Sequence, residues 1–328
     1  MTPRSFAHGP TRRTDVRFDC RQTSLHWSRW LIDFLVVQPN PGPIGQRNPL
    51  MVRACTRRSG VRFVAMGVLF GVLLSGCGNP GPGPPKPTAE SSVPLDDRSQ
   101  RLYDLAETGD RVTFTTLDGV LLRGLVLGGG DTAVVMSHMG RAGDSLEDWL
   151  VAATELASSD RSVLIYNRRG ICAAALDLCS EGTDELDESW RDVVAADRQV
   201  RRTGATRVVH VGASIGAMAT FHAVSLGEVD PDGLVWMGGV LAGEYTFDRS
   251  TARRLPRVPS LYVSSMEDIY GGREAARRMY EWTRDPHRLV LLPGMEHGTD
   301  FLKLGARRSK QEHVIAEIDR LIADVERR

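Results

Sequence analysis

The sequence predicts an α/β fold in which helices cover both faces of a mostly parallel sheet. Short β-branched and apolar runs alternate with longer stretches of helical pattern from residue 131 to residue 325. Parallel strands need a long crossover between them, usually a helix, so this alternation is typical of a doubly wound sheet. A hairpin pattern precedes the alternation. Residues 100–328, which hold both patterns, are enough for one domain with a single core.

The elements are predicted in chain order from these local patterns. The hairpin joins strands 112–115 and 121–125 through Asp118 and Gly119, a pair that favours a tight turn. Further strands are predicted at 131–137, 163–166, 206–211, 234–237, 260–264 and 288–292. Helices are predicted at 146–156, 190–201, 217–224, 273–282 and 312–325.

The most informative motif occupies residues 212–216, Gly-Ala-Ser-Ile-Gly, between a β-branched run and a small, apolar helical stretch. Strand, sharp turn and helix are the context that a G-x-S-x-G nucleophile elbow requires. The glycines matter because the turn strains the backbone of Ser214 and brings its neighbours close to other chain segments. A tight turn with a capping serine is the alternative. A phosphate-binding loop fits less well, because Ser214 stands where a dinucleotide loop has glycine and no Gly-Lys-Ser/Thr follows.

A nucleophilic serine needs a base, and the base needs an acid that holds its ring. Strand 260–264 runs into a loop that contains Asp268, and strand 288–292 leads to His297 in the next loop. The carboxyl ends of parallel strands share the edge of the sheet at which ligands bind. The sequence therefore predicts Ser214 as nucleophile, His297 as base and Asp268 as the orienting acid, in the chain order typical of a nucleophile elbow.

The choice of acid has alternatives. Glu267 directly precedes Asp268, but strand alternation places Asp268 deeper in the loop. Glu244 or Asp248, which follow the preceding strand, could also take this role. Four other histidines lie on or next to predicted strands and helices and are expected to be structural: His210, His222, His287 and His313.

The oxyanion that develops on an attacked carbonyl group needs backbone N–H donors. One donor is expected from Ile215, the residue that follows the nucleophile. The second is expected from the turn after strand 131–137, where Met139 is the natural candidate. His138 opens this turn and precedes the serine in the chain, so it is expected to be structural rather than a base.

Together these residues resemble the α/β-hydrolase family of serine hydrolases. The resemblance spans residues 111–325 and rests on the turn 138–140, the Tyr-Asn-Arg-Arg-Gly loop 166–170, the elbow, Asp268 and His297. It implies acyl transfer to water, in which Ser214 attacks a carbonyl group and His297 moves the proton. It implies no cofactor and no metal. Three positions depart from the usual pattern: Ala213 where histidine is frequent, Ala217 where glycine is frequent, and Met139 within a His-Gly turn.

A lid domain of this family usually lies between the strands at 234–237 and 260–264, where this chain has only about twenty residues. The site is therefore expected to be open, or roofed by local loops such as 172–187. A carboxylesterase acting on small-molecule esters of short acyl groups is the preferred function. A peptidase, a thioesterase or a polyester depolymerase of the same fold is an alternative, as is a binding lipoprotein that has lost the chemistry.

The N-terminal residues show the pattern of an exported protein. Residues 1–50 have no periodicity and are interpreted as an over-extended gene start. Residues 51–76 combine several arginines with an apolar stretch that would span about 21 Å as a helix, short of the roughly 30 Å of a membrane core. This is the pattern of a signal peptide. It ends in Leu-Ser-Gly-Cys, which resembles the lipobox of bacterial lipoproteins, so Cys77 is expected to be acylated; a plain secretory signal or a short anchor is the alternative.

Residues 77–99 are rich in proline and glycine and are expected to form a tether. Such a tether would hold the domain off a bilayer, lipid-anchored on the extracytoplasmic face of the cell membrane.

Charge argues against one class of partner, and cysteine usage agrees with the expected location. The chain has 41 basic and 41 acidic residues, but residues 1–76 hold 11 of the basic and only 3 of the acidic ones. The remainder therefore carries a net charge of −8, which gives no reason to expect nucleic-acid binding. Cys20 and Cys55 would be lost with residues 1–76 and Cys77 would be acylated, so Cys172 and Cys179 remain as one pair. A disulfide in an oxidising compartment is expected for them, with two free thiols as the alternative.

Overall fold

The structure, a computed structural model, describes residues 97–328. The predictions for residues 1–96, which include the signal peptide, Cys77 and most of the tether, lie outside the described residues.

The domain is built on an eight-stranded sheet with the order β1-β2-β4-β3-β7-β8-β9-β10. Its strands are β1 (Asp110–Thr115), β2 (Leu121–Gly128), β3 (Thr132–Ser137), β4 (Arg161–Tyr166), β7 (Arg207–Ala213), β8 (Gly233–Met237), β9 (Ser260–Ser265) and β10 (His287–Leu292). β2 runs antiparallel to both β1 and β4, and every other pair is parallel. A separate two-stranded hairpin consists of β5 (Cys172–Ala173) and β6 (Leu178–Cys179). The predicted mostly parallel sheet with an N-terminal hairpin is confirmed.

Helices cover both faces of the sheet. They are α1 (Asp97–Glu107), α2 (Leu150–Leu156), α3 (Ser189–Arg202), α4 (Ile215–Leu226), α5 (Arg249–Ala252), α6 (Gly272–Trp282) and α7 (Arg308–Glu326). One core cluster joins the sheet to α1, α2 and α7, and the other clusters join it to α3, α4 and α6. The central strands β3, β8 and β9 are buried along their whole length, as strands covered on both faces must be.

Several boundaries differ from the sequence-based expectation. The predicted helix 146–156 begins as a 3₁₀ turn, Leu146–Trp149, and becomes α-helical only at Leu150. Two side chains hold the first residues of this turn: Ser145 caps it, and Asn167, from another loop, accepts the N–H of Leu146. α1 was not predicted, and it begins within the last residues of the predicted tether. Its apolar residues are few, and its helical state depends on Leu102 and Ala106 packing into the core.

Between β8 and β9, residues 238–259 hold a single four-residue helix, α5. No large lid is present between these strands. Within residues 97–328, none of the helices has the length and apolarity needed to cross a membrane.

Candidate active site

Ser214 lies at the sharp turn between β7 and α4, with φ 50° and ψ −117°. This positive φ is unusual for a residue with a side chain. The two flanking glycines make the turn possible. A Cβ atom at Gly216 would lie 2.2 Å from the carbonyl oxygen of Ser137, and one at Gly212 would lie 2.4 Å from the Cα of Ala217. The turn therefore has the geometry of a nucleophile elbow, with the serine at its apex.

His297 follows β10 and lies against the serine. Its Nε2 is 2.8 Å from the Oγ of Ser214, although 83 residues separate the two in the chain. The imidazole is buried, with 4% of the residue exposed. Its backbone is fixed because the N–H of His297 donates to Oδ2 of Asp300, whose carboxylate in turn binds the guanidinium of Arg141.

Asp268, in the loop after β9, holds the other side of the imidazole. Its Oδ2 is 2.9 Å from Nδ1 of His297, and its side chain is fully buried. The remaining oxygen, Oδ1, accepts the backbone N–H of Tyr270 at 2.9 Å. Because the carboxylate can only accept, Nδ1 carries the proton, and Nε2 is left with a lone pair that faces the serine hydroxyl.

The alternative acids lie elsewhere. Glu267 and Glu244 have exposed side chains. Asp248 accepts the backbone N–H of Thr251 as the cap of α5. The structure therefore brings together Ser214, His297 and Asp268, and it leaves these other carboxylates outside the hydrogen-bond chain.

The turn that contains Met139 lies beside the elbow. A Cβ atom at Gly140 would meet the Ile215 side chain at 3.0 Å, and one at Gly298 would meet Met139 Sδ at 2.9 Å and Ser214 Cβ at 3.5 Å. Within residues 97–328, neither the Met139 N–H nor the Ile215 N–H donates to another group. In the part of the chain that the structure describes, both N–H groups therefore lack an internal acceptor.

His138 and Arg168 hold this turn in place. His138 is fully buried, and its Nε2 accepts the backbone N–H of Arg168 at 3.1 Å. Its Nδ1 therefore carries the proton and donates to the Met139 carbonyl oxygen at 2.7 Å. Burial lowers the pKa of His138 well below its usual range, and the Arg168 guanidinium adds to this effect. The imidazole is thus neutral and structural, as the sequence predicted.

The other histidines lie outside this arrangement. His210, on the interior strand β7, bonds to Asp197 of α3 at 3.1 Å, and His222 packs between the rings of Trp190 and Tyr245. His287 lies against Tyr280, and His313 is an exposed residue of α7. Among residues 97–328 no group of three or more His, Cys, Asp or Glu side chains could hold a metal ion.

Cys172 and Cys179 are joined by a disulfide. They face each other across β5 and β6, in the segment that follows β4 at the same edge of the sheet as the elbow. The Asn167 side chain ties this hairpin to the turn before α2, because it accepts the N–H of Leu146 and donates to the carbonyl of Leu178.

Two residues beside this site had not been identified from the sequence, Tyr270 and Asp300, and Arg168 had been named only as part of the 166–170 loop. Asp300 accepts a backbone N–H, a contact that no motif encodes. Tyr270 lies two residues after Asp268, and its ring centroid is 4.5 Å from that of His297. An aromatic residue so soon after a predicted catalytic acid is the only sequence signal that could have singled it out.

No protein-family model matches this chain, and no curated protein does. Among solved structures, it is similar to a serine hydrolase involved in carbazole degradation (CarC enzyme), with a TM-score of 0.50 and 16% identity over 65% of this chain and 99% of that one. The Pyrococcus furiosus esterase Pf2001 has a TM-score of 0.52 and 16% identity over 68% of this chain and 94% of that one. A thermophilic esterase from Thermogutta terrifontis has a TM-score of 0.50 and 14% identity over 66% of this chain and 99% of that one. With the strand order above, these similarities show that residues 97–328 have the α/β-hydrolase fold.

Proposed function

We propose that this protein is a serine hydrolase that cleaves carboxylic esters, with Ser214 as nucleophile, His297 as base and Asp268 as the acid that orients it. The observation that carries the proposal is the continuous chain of hydrogen bonds from Ser214 Oγ through both nitrogens of His297 to Asp268. The strained backbone at Ser214 supports it, because such strain concentrates at functional sites.

The chemistry follows from the positions of the protons. As Ser214 Oγ attacks the ester carbonyl carbon, its proton passes to His297 Nε2, and Asp268 stabilises the imidazolium that forms. The carbonyl oxygen becomes an oxyanion, which the N–H groups of Met139 and Ile215 would bind. His297 then gives the proton to the departing alcohol. A water molecule then gives a proton to His297 and attacks the acyl-serine. As the acyl–Oγ bond breaks and the carboxylic acid leaves, His297 returns this proton to Ser214 Oγ.

The absence of a large lid between β8 and β9 favours small, soluble substrates. A lid that opens at a lipid surface is the usual basis of activation by an interface, and residues 238–259 are too few to form one. We therefore expect short acyl esters to be preferred over long-chain lipids, and activity that rises smoothly with substrate concentration through its solubility limit.

The location is proposed from the sequence. The lipobox-like segment that ends at Cys77 supports export, acylation of Cys77 and retention at the extracytoplasmic face of the cell membrane. The Cys172–Cys179 disulfide agrees with an oxidising compartment.

Labelling with a fluorophosphonate probe tests the central claim. The wild-type protein should be labelled, and Ser214→Ala should not be. Ser250→Ala, which removes an exposed serine from α5, serves as the matched control and should keep full labelling. An unlabelled wild-type protein would favour a binding lipoprotein without chemistry. A panel of matched esters, thioesters and amides then separates the esterase from a thioesterase or a peptidase.

A further inference from the structure

Large apolar side chains are exposed in the two loops that carry Asp268 and His297. In the described part of the chain, four of the seven exposed large apolar residues lie there: Met266, Ile269, Tyr270 and Met295. The other three, Leu105, Leu117 and Leu226, are scattered singly, which is ordinary for a soluble domain. A concentration of exposed apolar groups at the edge of a polar site indicates contact with an apolar ligand group.

Tyr270 is the member of this set whose position is best defined. Its backbone N–H is bound to Asp268, and its ring lies against the imidazole of His297, with the ring planes inclined at 47°. Because 53% of Tyr270 is exposed while His297 is buried, the tyrosine ring forms the outer wall of the site beside the base. Ile269, its neighbour in the chain, is 72% exposed.

The direction of the reaction decides which part of an ester this wall would meet. His297 Nε2 must deliver its proton to the alcohol oxygen as the C–O bond breaks, so the alcohol group leaves past the imidazole. The carbonyl oxygen points the other way, towards the Met139 and Ile215 N–H groups. A surface that lies against His297 is therefore on the alcohol side of the ester.

We propose that Tyr270, with Ile269 beside it, forms the subsite for the alcohol group, and that the preferred esters carry an apolar, aryl-bearing alcohol. This inference rests on the proposed function and adds to it the class of leaving group. Stacking of an aromatic ring on the exposed face of Tyr270 would hold the scissile bond over Ser214. In the net reaction the ester C–O bond and one O–H bond of water break; the acyl group takes the hydroxyl, the alcohol takes the proton, and water is the only co-reactant.

Two pairs of esters test the subsite with the full chain. Benzyl acetate and ethyl acetate differ only in the alcohol, and ethyl butyrate and ethyl acetate differ only in the acyl group. We expect the wild-type kcat/KM for benzyl acetate to exceed that for ethyl acetate. In Tyr270→Ala this benzyl-to-ethyl ratio should fall about tenfold, chiefly through a higher KM for benzyl acetate, while the butyrate-to-acetate ratio stays unchanged.

Two variants control for indirect effects. Tyr270→Phe keeps the ring and should keep the benzyl-to-ethyl ratio. A lower ratio in Tyr270→Phe would show that the preference depends on the hydroxyl instead. Leu117→Ala removes an exposed apolar side chain from the turn between β1 and β2 and should change neither ratio.

The outcomes separate the two levels of the proposal. If the wild-type protein hydrolyses these esters through Ser214 but Tyr270→Ala leaves the benzyl-to-ethyl ratio unchanged, the subsite is wrong and the proposed function stands. A change in the butyrate-to-acetate ratio instead would assign the surface to the acyl group and overturn the alcohol-side assignment. If wild-type hydrolysis persists in Ser214→Ala, the proposed function itself fails.

Discussion

At the scale of single residues, the proposed triad consists of groups that are expected to act only together. Ser214 has a hydroxyl that is a weak nucleophile alone, and the imidazole of His297 is useful only while Asp268 fixes its tautomer. We therefore expect Ser214→Ala and His297→Ala each to lower kcat by about 10⁴-fold or more, and the double variant to be scarcely worse. Asp268→Asn should lower kcat by a smaller factor than Ser214→Ala does. Multiplicative losses in the double variant, measured in steady-state kinetics, would contradict this joint action.

The backbone of Ser214 gives a second prediction at this scale. Its φ of 50° costs a residue with a side chain on the order of 1–3 kcal/mol, a cost that glycine avoids. Ser214→Gly should therefore abolish activity and raise the free energy of unfolding by about 1 kcal/mol in urea denaturation. Ser250→Gly, in the short helix α5, should instead lower the free energy of unfolding. A Ser214→Gly protein that is no more stable than Ser214→Ala would show that the turn is not strained.

Asp148 predicts a pH dependence of stability. It lies in the 3₁₀ turn before α2, 3.4 Å from Lys303. Burial, reinforced by the nearby Asp144, raises the pKa of Asp148 to about 6, and Lys303 only partly offsets this. An unfolded aspartate has a pKa of about 3.9, so the folded protein holds this proton more tightly, and stability falls as the pH rises from about 4 to about 6.

Asp148→Asn removes this titration. Asp148→Asn should raise the free energy of unfolding above that of the wild type by more at pH 7.5 than at pH 4. The two gains should differ by about 1–3 kcal/mol. Asp104→Asn, at an exposed position of α1, controls for the change in net charge. Urea denaturation at the two pH values measures the difference, and a gain that is the same at both would rule out the raised pKa.

At the scale of elements, the β5–β6 hairpin is the segment whose stability most depends on a covalent link. Its two strands have two residues each, too few to pair stably alone. The Cys172–Cys179 disulfide closes a loop with a sequence separation of 7, worth about 2–3 kcal/mol in the chain-entropy model.

Cys172→Ser with Cys179→Ser should therefore lower the free energy of unfolding by about 2–3 kcal/mol in urea denaturation. Reductant should produce a similar loss in the wild-type protein and no further loss in the double variant. Alkylation of both thiols without reductant, in protein extracted from the envelope, would instead show that the bridge does not form in the cell.

At the scale of the whole molecule, the proposed activity and the proposed lipid attachment at Cys77 can be tested separately. We expect Cys77→Ala to abolish acylation, seen as a change in mass, and to release the protein from the membrane fraction. Cys172→Ala with Cys179→Ala removes two other cysteines and should leave the protein membrane-bound, which makes it the matched control. If Cys77→Ala protein stays in the membrane fraction with an unshifted mass, the lipoprotein hypothesis fails.

The fold itself was predictable because its signals are local. Buried parallel strands such as β3 and β9 need continuous apolar runs, and the elbow needs glycines at fixed offsets from its serine. α1 was missed because its sequence is polar and its helical state comes from packing against α2 and the core. The start of α2 was misplaced because a 3₁₀ turn precedes it, and the first N–H of that turn is held by Asn167, a side chain from another loop.

The sequence by itself determined the fold class, the elbow, and the chain order of a serine, a carboxylate and a histidine, since each depends on residue types at short spacing or on the end of a strand. Only the tertiary structure decided between Asp268 and Glu267, because the two are neighbours in the chain and differ only in which one the loop buries against His297. The same holds for the roles of His138 and Arg168 at the Met139 turn and for the ring of Tyr270 on His297. These contacts join loops 27 to 30 residues apart, and strand order and loop conformation, which no local pattern records, bring them together.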